Sequence, residues 1–160
     1  MTKIATADLW DEHGTALKVW PLELTNYGGK TAFCGEIVTL KVYEDNSYVR
    51  KTLEENGKGK VLVVDGGGSK RCALLGDNIA TLANENGWEG MIIYGCIRDS
   101  KVIRTMDVGV KAIGTCPVKS RKENVGAKGG TLVIEGTEII HGTYVYSDED
   151  GVLFSKEKLL

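Results

Sequence analysis

No stretch of this chain reaches the roughly 18 consecutive apolar residues that a membrane-crossing helix needs, so the sequence excludes a helical membrane protein. Proline is almost absent: Pro21 and Pro117 are the only two, and neither marks a stiff linker between domains. Charge of one sign is lacking as well. The net charge is -2, and Lys and Arg are scattered among acids without forming a basic stripe, so there is no electrostatic case for nucleic acid. The four cysteines (Cys34, Cys72, Cys96, Cys116) form no C-x-x-C pair and match no zinc spacing. Three of them lie in or beside apolar segments and read as buried free thiols rather than disulfides. Neither G-x-G-x-x-G nor a Walker A motif occurs, so the spacing does not support nucleotide binding. There is no repeat or low-complexity tract. The first residues, Met1 to Ile4, lack the apolar stretch of a signal peptide, and the expectation is a cytoplasmic protein.

What is present is one domain's worth of chain, taken as residues 1–160, with 42% hydrophobic and 26% charged residues. Glycine totals 21, enough for many short turns. Residues 4–13 read as a helix stopped near Gly14, 31–43 as a strand and 46–56 as a helix. The run VLVV at 61–64 has no polar alternation, the mark of a strand buried on both faces. Asp65-Gly66-Gly67-Gly68 and a helical stretch to Gly87 follow, then a second buried run, MIIY, at 91–94. A further helical stretch opens at Arg98-Asp99 and carries Val102, Ile103 and Met106 at helical spacing. Residues 109–114 read as a third strand. This β-α-β-α-β order implies parallel strands. The last third (TLVIEG, TEIIHG, TYVYSD, GVLFS) reads as antiparallel strands with tight turns at Gly136 and at Asp150-Gly151. The fold class is therefore mixed α/β.

Ligands of parallel sheets sit beyond the carboxyl ends of the strands. Two segments arrive there: the loop from Gly66 to Asn78, and Arg98-Asp99. The first is either a tight strand-to-helix turn or an anion site. In the second case a helix starting near Asp77 would offer free N–H groups. Arg98-Asp99 is a surface ion pair or a helix cap, or else an anion-binding guanidinium beside a carboxylate for a hard cation. His13 and His141 read as structural or solvent-facing. Ser69 and Ser120 have no His/Asp partners, Asp148-Glu149-Asp150 reads as turn chemistry, and Trp10, Trp20 and Trp88 as core or subunit contacts.

The segment GKGKVLVVDGGGSKRCALLGDNIATLANENGWEGMIIYGCIRD (57–99) resembles the signature region of the RraA family (regulator of ribonuclease activity A and 4-hydroxy-4-methyl-2-oxoglutarate aldolases). The likeness continues through DVGVKAIGTCPVKS (107–120) and YVYSDEDGVLFS (144–155). The aldolase pattern of Asp, twenty residues and Arg-Asp stands here as Asp77, residues 78–97, and Arg98-Asp99.

That resemblance implies a β/β/α swivelling-type sandwich, a ring-shaped homotrimer, and cleavage of a small 2-keto acid with an oxaloacetate decarboxylase side activity. Gly76, Asp77, Asn78 and Ile79 would bind the substrate, largely through backbone N–H groups. Arg98 would contact it and stabilise the enolate, Asp77 would orient a water or Arg98, and Asp99 would anchor a divalent cation, Mg2+ or Mn2+. Family enzymes often carry a further acidic residue after the Arg-Asp pair, where Ser100, Lys101 and Val102 stand here. The regulator branch implies the alternative of a non-catalytic protein that binds and inhibits ribonuclease E.

Overall fold

The computed structural model describes residues 3–160, so the reading of Met1 and Thr2 lies outside the described residues. Helix α1 (Thr6–His13) ends at Gly14, whose positive φ of 53° suits a residue without a side chain. Strands β1 (Lys18–Trp20) and β2 (Thr25–Asn26) precede β3 (Phe33–Lys41) and helix α2 (Ser47–Leu53). The central run follows as β4 (Lys60–Asp65), β5 (Ala73–Leu75), α3 (Asp77–Glu85), β6 (Gly90–Ile97), α4 (Ser100–Ile103) and β7 (Gly109–Thr115). Short strands complete the chain: β8 (Ala127–Lys128), β9 (Leu132–Ile134), β10 (Thr137–Ile139), β11 (Tyr144–Ser147) and β12 (Val152–Ser155).

The large sheet runs β1-β12-β11-β3-β4-β6-β7-β2, with β5 added beside β6 and β8 beside β3. Strands β3, β4, β6 and β7 are mutually parallel, as the β-α-β-α-β reading requires. The flanking pairs are antiparallel, including β11 with β12 and the separate β9–β10 hairpin. Helices cover one face and the hairpin covers the other, which gives the expected β/β/α layers. On β4, Leu62 and Val64 pack toward Val49, Leu53, Ile79 and Ile103 of the helices. Val61 and Val63 pack toward Leu132, Ile134 and Ile139 of the hairpin. An apolar run without alternation is what two covered faces demand, and each fully buried Val or Leu contributes about 1.5–3 kcal/mol.

The sheet curls strongly. Lys111 on β7 is buried, and its Nζ donates to the carbonyls of Asp148 (2.6 Å) and Gly151 (3.4 Å) in the turn between β11 and β12, on the opposite flank. Burial pushes the Lys111 pKa down. Asp148 is more than a turn residue, because its carboxylate also accepts the Thr6 N–H and hydroxyl and so anchors α1.

Three expectations need correction. The stretch from Gly68 to Gly87 is not all helix, since 73–75 pairs with β6 as an added strand and α3 occupies only 77–85. The helix after Asp99 ends at Ile103 and does not extend to Met106. Helix α2 stops at Leu53, short of Gly57. In each case tertiary pairing or packing outweighs a periodicity that persists by composition alone. The thiols follow expectation: Cys72, Cys96 and Cys116 are buried and all four cysteines are free. No helix among the described residues is long and apolar enough to cross a membrane.

Candidate functional site

At the carboxyl ends of β4, β5 and β6, a cleft of about 440 Å³ opens between α2, the start of α3 and the 119–124 loop. All six residues singled out in the sequence line it: Gly76, Asp77, Asn78, Ile79, Arg98 and Asp99. A larger cavity, about 680 Å³, lies elsewhere, against Leu17, Ile139 and Phe154. It lacks an arginine, and none of the parallel strand ends feeds it, so the smaller cleft is the stronger chemical candidate.

Two strand-to-helix turns meet at the cleft floor. Strand β5 ends at Leu75, whose carbonyl accepts the Arg98 N–H at 2.9 Å, and this bond holds the two turns side by side. Gly76 is the α3 N-cap, in an extended conformation that any residue adopts. Its special feature is crowding. A Cβ there would stand 2.9 Å from Asp99 Oδ2 and 3.5 Å from Arg98 Cγ and Nε. Glycine thus lets the guanidinium and carboxylate come down onto the helix start.

Asp99 holds the N-cap position of α4 with φ 59°, a left-handed conformation uncommon outside glycine. Its side chain does not cap that helix. Instead, Oδ2 accepts the Asp77 N–H at 3.0 Å, at the positive end of α3. Backbone strain of this kind is held in place by surrounding structure and gathers at functional sites.

The expected cradle of four amides is reduced. The Asp77 N–H is taken by Asp99, and the Asn78 N–H by the Asp77 side chain at 2.8 Å. The Gly76 and Ile79 N–H groups have no protein acceptor among the described residues. Ile79 itself is buried in the core, so only its backbone can serve a ligand. The Asp77 carboxylate makes no hydrogen bond to Arg98. Arg98 Nη1 donates to the Pro117 carbonyl at 3.3 Å, and among the described residues no carboxylate lies within 4.0 Å of its guanidinium. Gly66 to Ser69 do not line the cleft, because the Gly66 and Gly68 amides bond to the Tyr94 carbonyl and the Gly67 amide to Asp65. Lys101 is exposed and lies off the cleft wall, leaving Ser100 beside Arg98 and Asp99.

Asp99 and Asp77 are the carboxylates at this end of the cleft. Among the described residues no group of three or more His, Cys, Asp or Glu side chains is placed to hold a metal ion. The donor set therefore does not form a closed protein cage. It does fit a hard cation such as Mg2+, which binds through one or two carboxylates with water and substrate oxygens completing its shell.

The rest of the wall was not legible in the sequence. Arg50 and Lys51 come from α2, and Lys119, Ser120, Lys122 and Asn124 from the loop after β7. Buried Asp45 secures that loop, accepting the Glu123 N–H at 2.7 Å and the Ser47 N–H at 2.9 Å. Burial alone would raise the Asp45 pKa, but hydrogen bonds from Ser47, Glu123 and Val125 bring it below the ordinary range. Glu44 ties Ser69 and Arg71 (both 2.6 Å) to Arg121 (3.6 Å). The signal that was available is position: Glu44 and Asp45 closely follow β3, itself a parallel strand, and so fall at the same end of the sheet. The histidines behave structurally where bonding is seen, with His141 Nδ1 accepting the buried Thr39 N–H at 3.2 Å.

The chain is similar to known proteins over nearly its whole length. A family model described as RraA-like (Aldolase/RraA) matches residues 6–154. A protein of Dechloromonas aromatica (strain RCB), provisionally named 4-hydroxy-4-methyl-2-oxoglutarate aldolase, is 52% identical over 158 residues, covering 96% of this chain and 97% of the relative. The solved structure of a Geobacillus kaustophilus HTA426 protein, titled S-adenosylmethionine: 2-dimethylmenaquinone methyltransferase, superposes with a TM-score of 0.95 at 51% identity, covering 98% and 97% of the two chains. The RNA-processing inhibitor RraA from Thermus thermophilis superposes with a TM-score of 0.95 at 41% identity, covering 99% and 96%. The chain belongs to the RraA-like family.

Proposed function

We propose that this protein is a divalent-metal-dependent lyase that cleaves 4-hydroxy-4-methyl-2-oxoglutarate by a retro-aldol reaction and decarboxylates oxaloacetate as a side activity. The observation that carries the reading is the meeting of Gly76, Arg98 and Asp99, where a Cβ on the glycine would touch both side chains. The names of curated relatives point the same way.

In the reaction the C3–C4 bond breaks. The C4 hydroxyl loses its proton to a base, and the bonding electrons pass into the C2 carbonyl. Pyruvate enolate leaves with a second pyruvate, and the enolate carbon then takes up a proton. Arg98 binds the keto oxygen and carboxylate and stabilises the charge that develops there. The Gly76 and Ile79 N–H groups orient the substrate carboxylate at the helix start. Asp77 orients the water that moves the hydroxyl proton. Asp99 would hold a divalent cation, Mg2+ or Mn2+, which when bound would supply Lewis-acid stabilisation of the developing enolate charge. Decarboxylation of oxaloacetate passes through the same enolate, so Arg98 acts identically.

The test is pyruvate release from both substrates with Mg2+ or Mn2+ added. Arg98→Ala and Asp99→Ala are each expected to lose about 100- to 1,000-fold in kcat, the scale of removing one charge-stabilising group. Equal rates for wild type and Asp99→Ala would remove the proposal.

The Thermus neighbour favours a second reading, a protein regulator that binds and inhibits ribonuclease E; pull-down with that ribonuclease at micromolar concentration decides it. A methyltransferase reading is less well supported, because the cleft wall has no aromatic side chain to receive an adenine ring. We propose a cytoplasmic location and a homotrimer; light scattering on the purified protein tests the trimer.

A further inference from the structure

We propose that Arg50 reads the far carboxylate of the substrate and makes the site selective for 2-oxo acids carrying a second carboxylate. This rests on the reading of Gly76, Arg98 and Asp99 as the keto-acid pole and asks what the remainder of the cleft accommodates. The volume of about 440 Å³ exceeds what a three-carbon keto acid fills, and it extends from that pole to α2. The wall is cationic. Arg50, Lys51, Arg98, Lys119 and Lys122 face Glu54, Asp77 and Asp99, although the whole chain carries a net charge of -2.

Two of those cations, Lys51 and Lys122, already have side-chain partners. Lys51 Nζ bonds to Asn124 and sits over the Tyr48 ring, 5.0 Å from its centroid. Lys122 Nζ donates to Asn46 Oδ1 at 3.4 Å. The Lys119 side chain is exposed and has no partner among the described residues, but its backbone bridges to Ala73, which puts it on the β5 side of the cleft with the Arg98 pole. Arg50 differs. Its backbone is anchored in α2, with N–H to the Asn46 carbonyl at 3.1 Å and its own carbonyl accepting the Glu54 N–H at 3.0 Å. Its guanidinium has no carboxylate within 4.0 Å among the described residues, Glu54 one turn on included. A planar guanidinium on a fixed helix turn, facing an open cleft, is suited to two-pronged recognition of a carboxylate.

In the retro-aldol reaction that carboxylate departs with the second pyruvate and never joins the enolate. Arg50 therefore acts on substrate selection and not on the charge developing at the keto oxygen. The test compares 4-hydroxy-4-methyl-2-oxoglutarate with 4-hydroxy-4-methyl-2-oxopentanoate, in which a methyl group replaces the far carboxylate. Wild type is expected to favour the first. Arg50→Ala is expected to lose about 10- to 100-fold in kcat/KM on the first, mostly in KM, and less than 3-fold on the second. Arg50→Lys should recover only part of the loss. Equal losses on both substrates, or no loss on either, would overturn the assignment while leaving the lyase reading intact.

Calorimetry with 2-oxoglutarate and 2-oxopentanoate supplies a readout independent of turnover. Wild type should bind the dicarboxylate at least 10-fold more tightly, and Arg50→Ala should bind both alike. If neither aldol substrate is cleaved but this preference and its loss are seen, the lyase reading fails and the Arg50 assignment stands. Equal binding of the two acids by wild type overturns it.

Discussion

Replacing Gly76 with alanine tests the site at its narrowest point. The backbone there is extended, so alanine adds no conformational strain, and the whole effect comes from one methyl group. That methyl would stand 2.9 Å from Asp99 Oδ2, closer than real Cβ contacts, with Arg98 Cγ and Nε at 3.5 Å. The carboxylate has to move, and its 3.0 Å bond from the Asp77 N–H is weakened or broken. A hydrogen bond to a charged group contributes about 1.5–3 kcal/mol, and exposure of Asp99 reduces this to about 1 kcal/mol of stability. For a chain of this size that lowers Tm by about 2–4 °C. The catalytic effect is larger, because displacement by a fraction of an ångström upsets the alignment of both groups with substrate. A loss of about 10- to 100-fold in kcat for oxaloacetate decarboxylation is expected. The assay couples pyruvate release to NADH oxidation, with Tm measured in parallel. Gly130→Ala serves as the control, since a Cβ there meets nothing within 4 Å. If Gly76→Ala kept kcat within a factor of two of wild type, the idea that this contact sets the geometry of Arg98 and Asp99 would be wrong.

Leu62→Ala, in the middle of β4 with no solvent exposure, should cost about 2–5 kcal/mol in urea unfolding without altering KM, through lost burial and the cavity left behind. Asp45→Asn keeps the size but loses the charge that receives the Ser47 and Glu123 amides. At pH 7 it should be about 1–3 kcal/mol less stable than wild type. Because the folded Asp45 pKa is depressed, its contribution is complete above the ordinary carboxylate range near 3.9 and fades as pH falls through the lower folded value. The gap between the two proteins should therefore close in acid, and a constant gap down to pH 2 would contradict the assignment. Asp148→Ala removes the acceptor for the Thr6 N–H and hydroxyl, so α1 should become the first site of limited proteolysis while the central strands stay protected.

The central strands were legible because their burial is written locally. VLVV and MIIY have no polar alternation, and only a strand covered on both faces accommodates that. The hairpins of the last third were legible from the tight turns that separate their short strands; β9 and β10 then alternate with one covered face, whereas β11 and β12 are buried nearly throughout. Both segments of the candidate site could be named from the rule that parallel strands present their ligands at the carboxyl ends. Strand β5 could not. Its three residues, Ala73 to Leu75, suit a helix equally well, and they form a strand because an open edge of β6 beyond Tyr94 accepts them. The same holds for Lys111, whose place in a strand was evident but whose burial depends on the 148–151 turn reaching it across a curled sheet.

The amino-acid order alone thus determined the layers, the parallel core and the two segments that bear the site, because periodicity and turn chemistry act over a few neighbouring residues. Only the tertiary structure decided that Asp99 turns away from its own helix to the start of α3, that two of the four expected amides are already occupied, and that α2 and the 119–124 loop close the cleft with Arg50. Those outcomes depend on distances between residues far apart in the chain, and such distances are set by how the layers pack together.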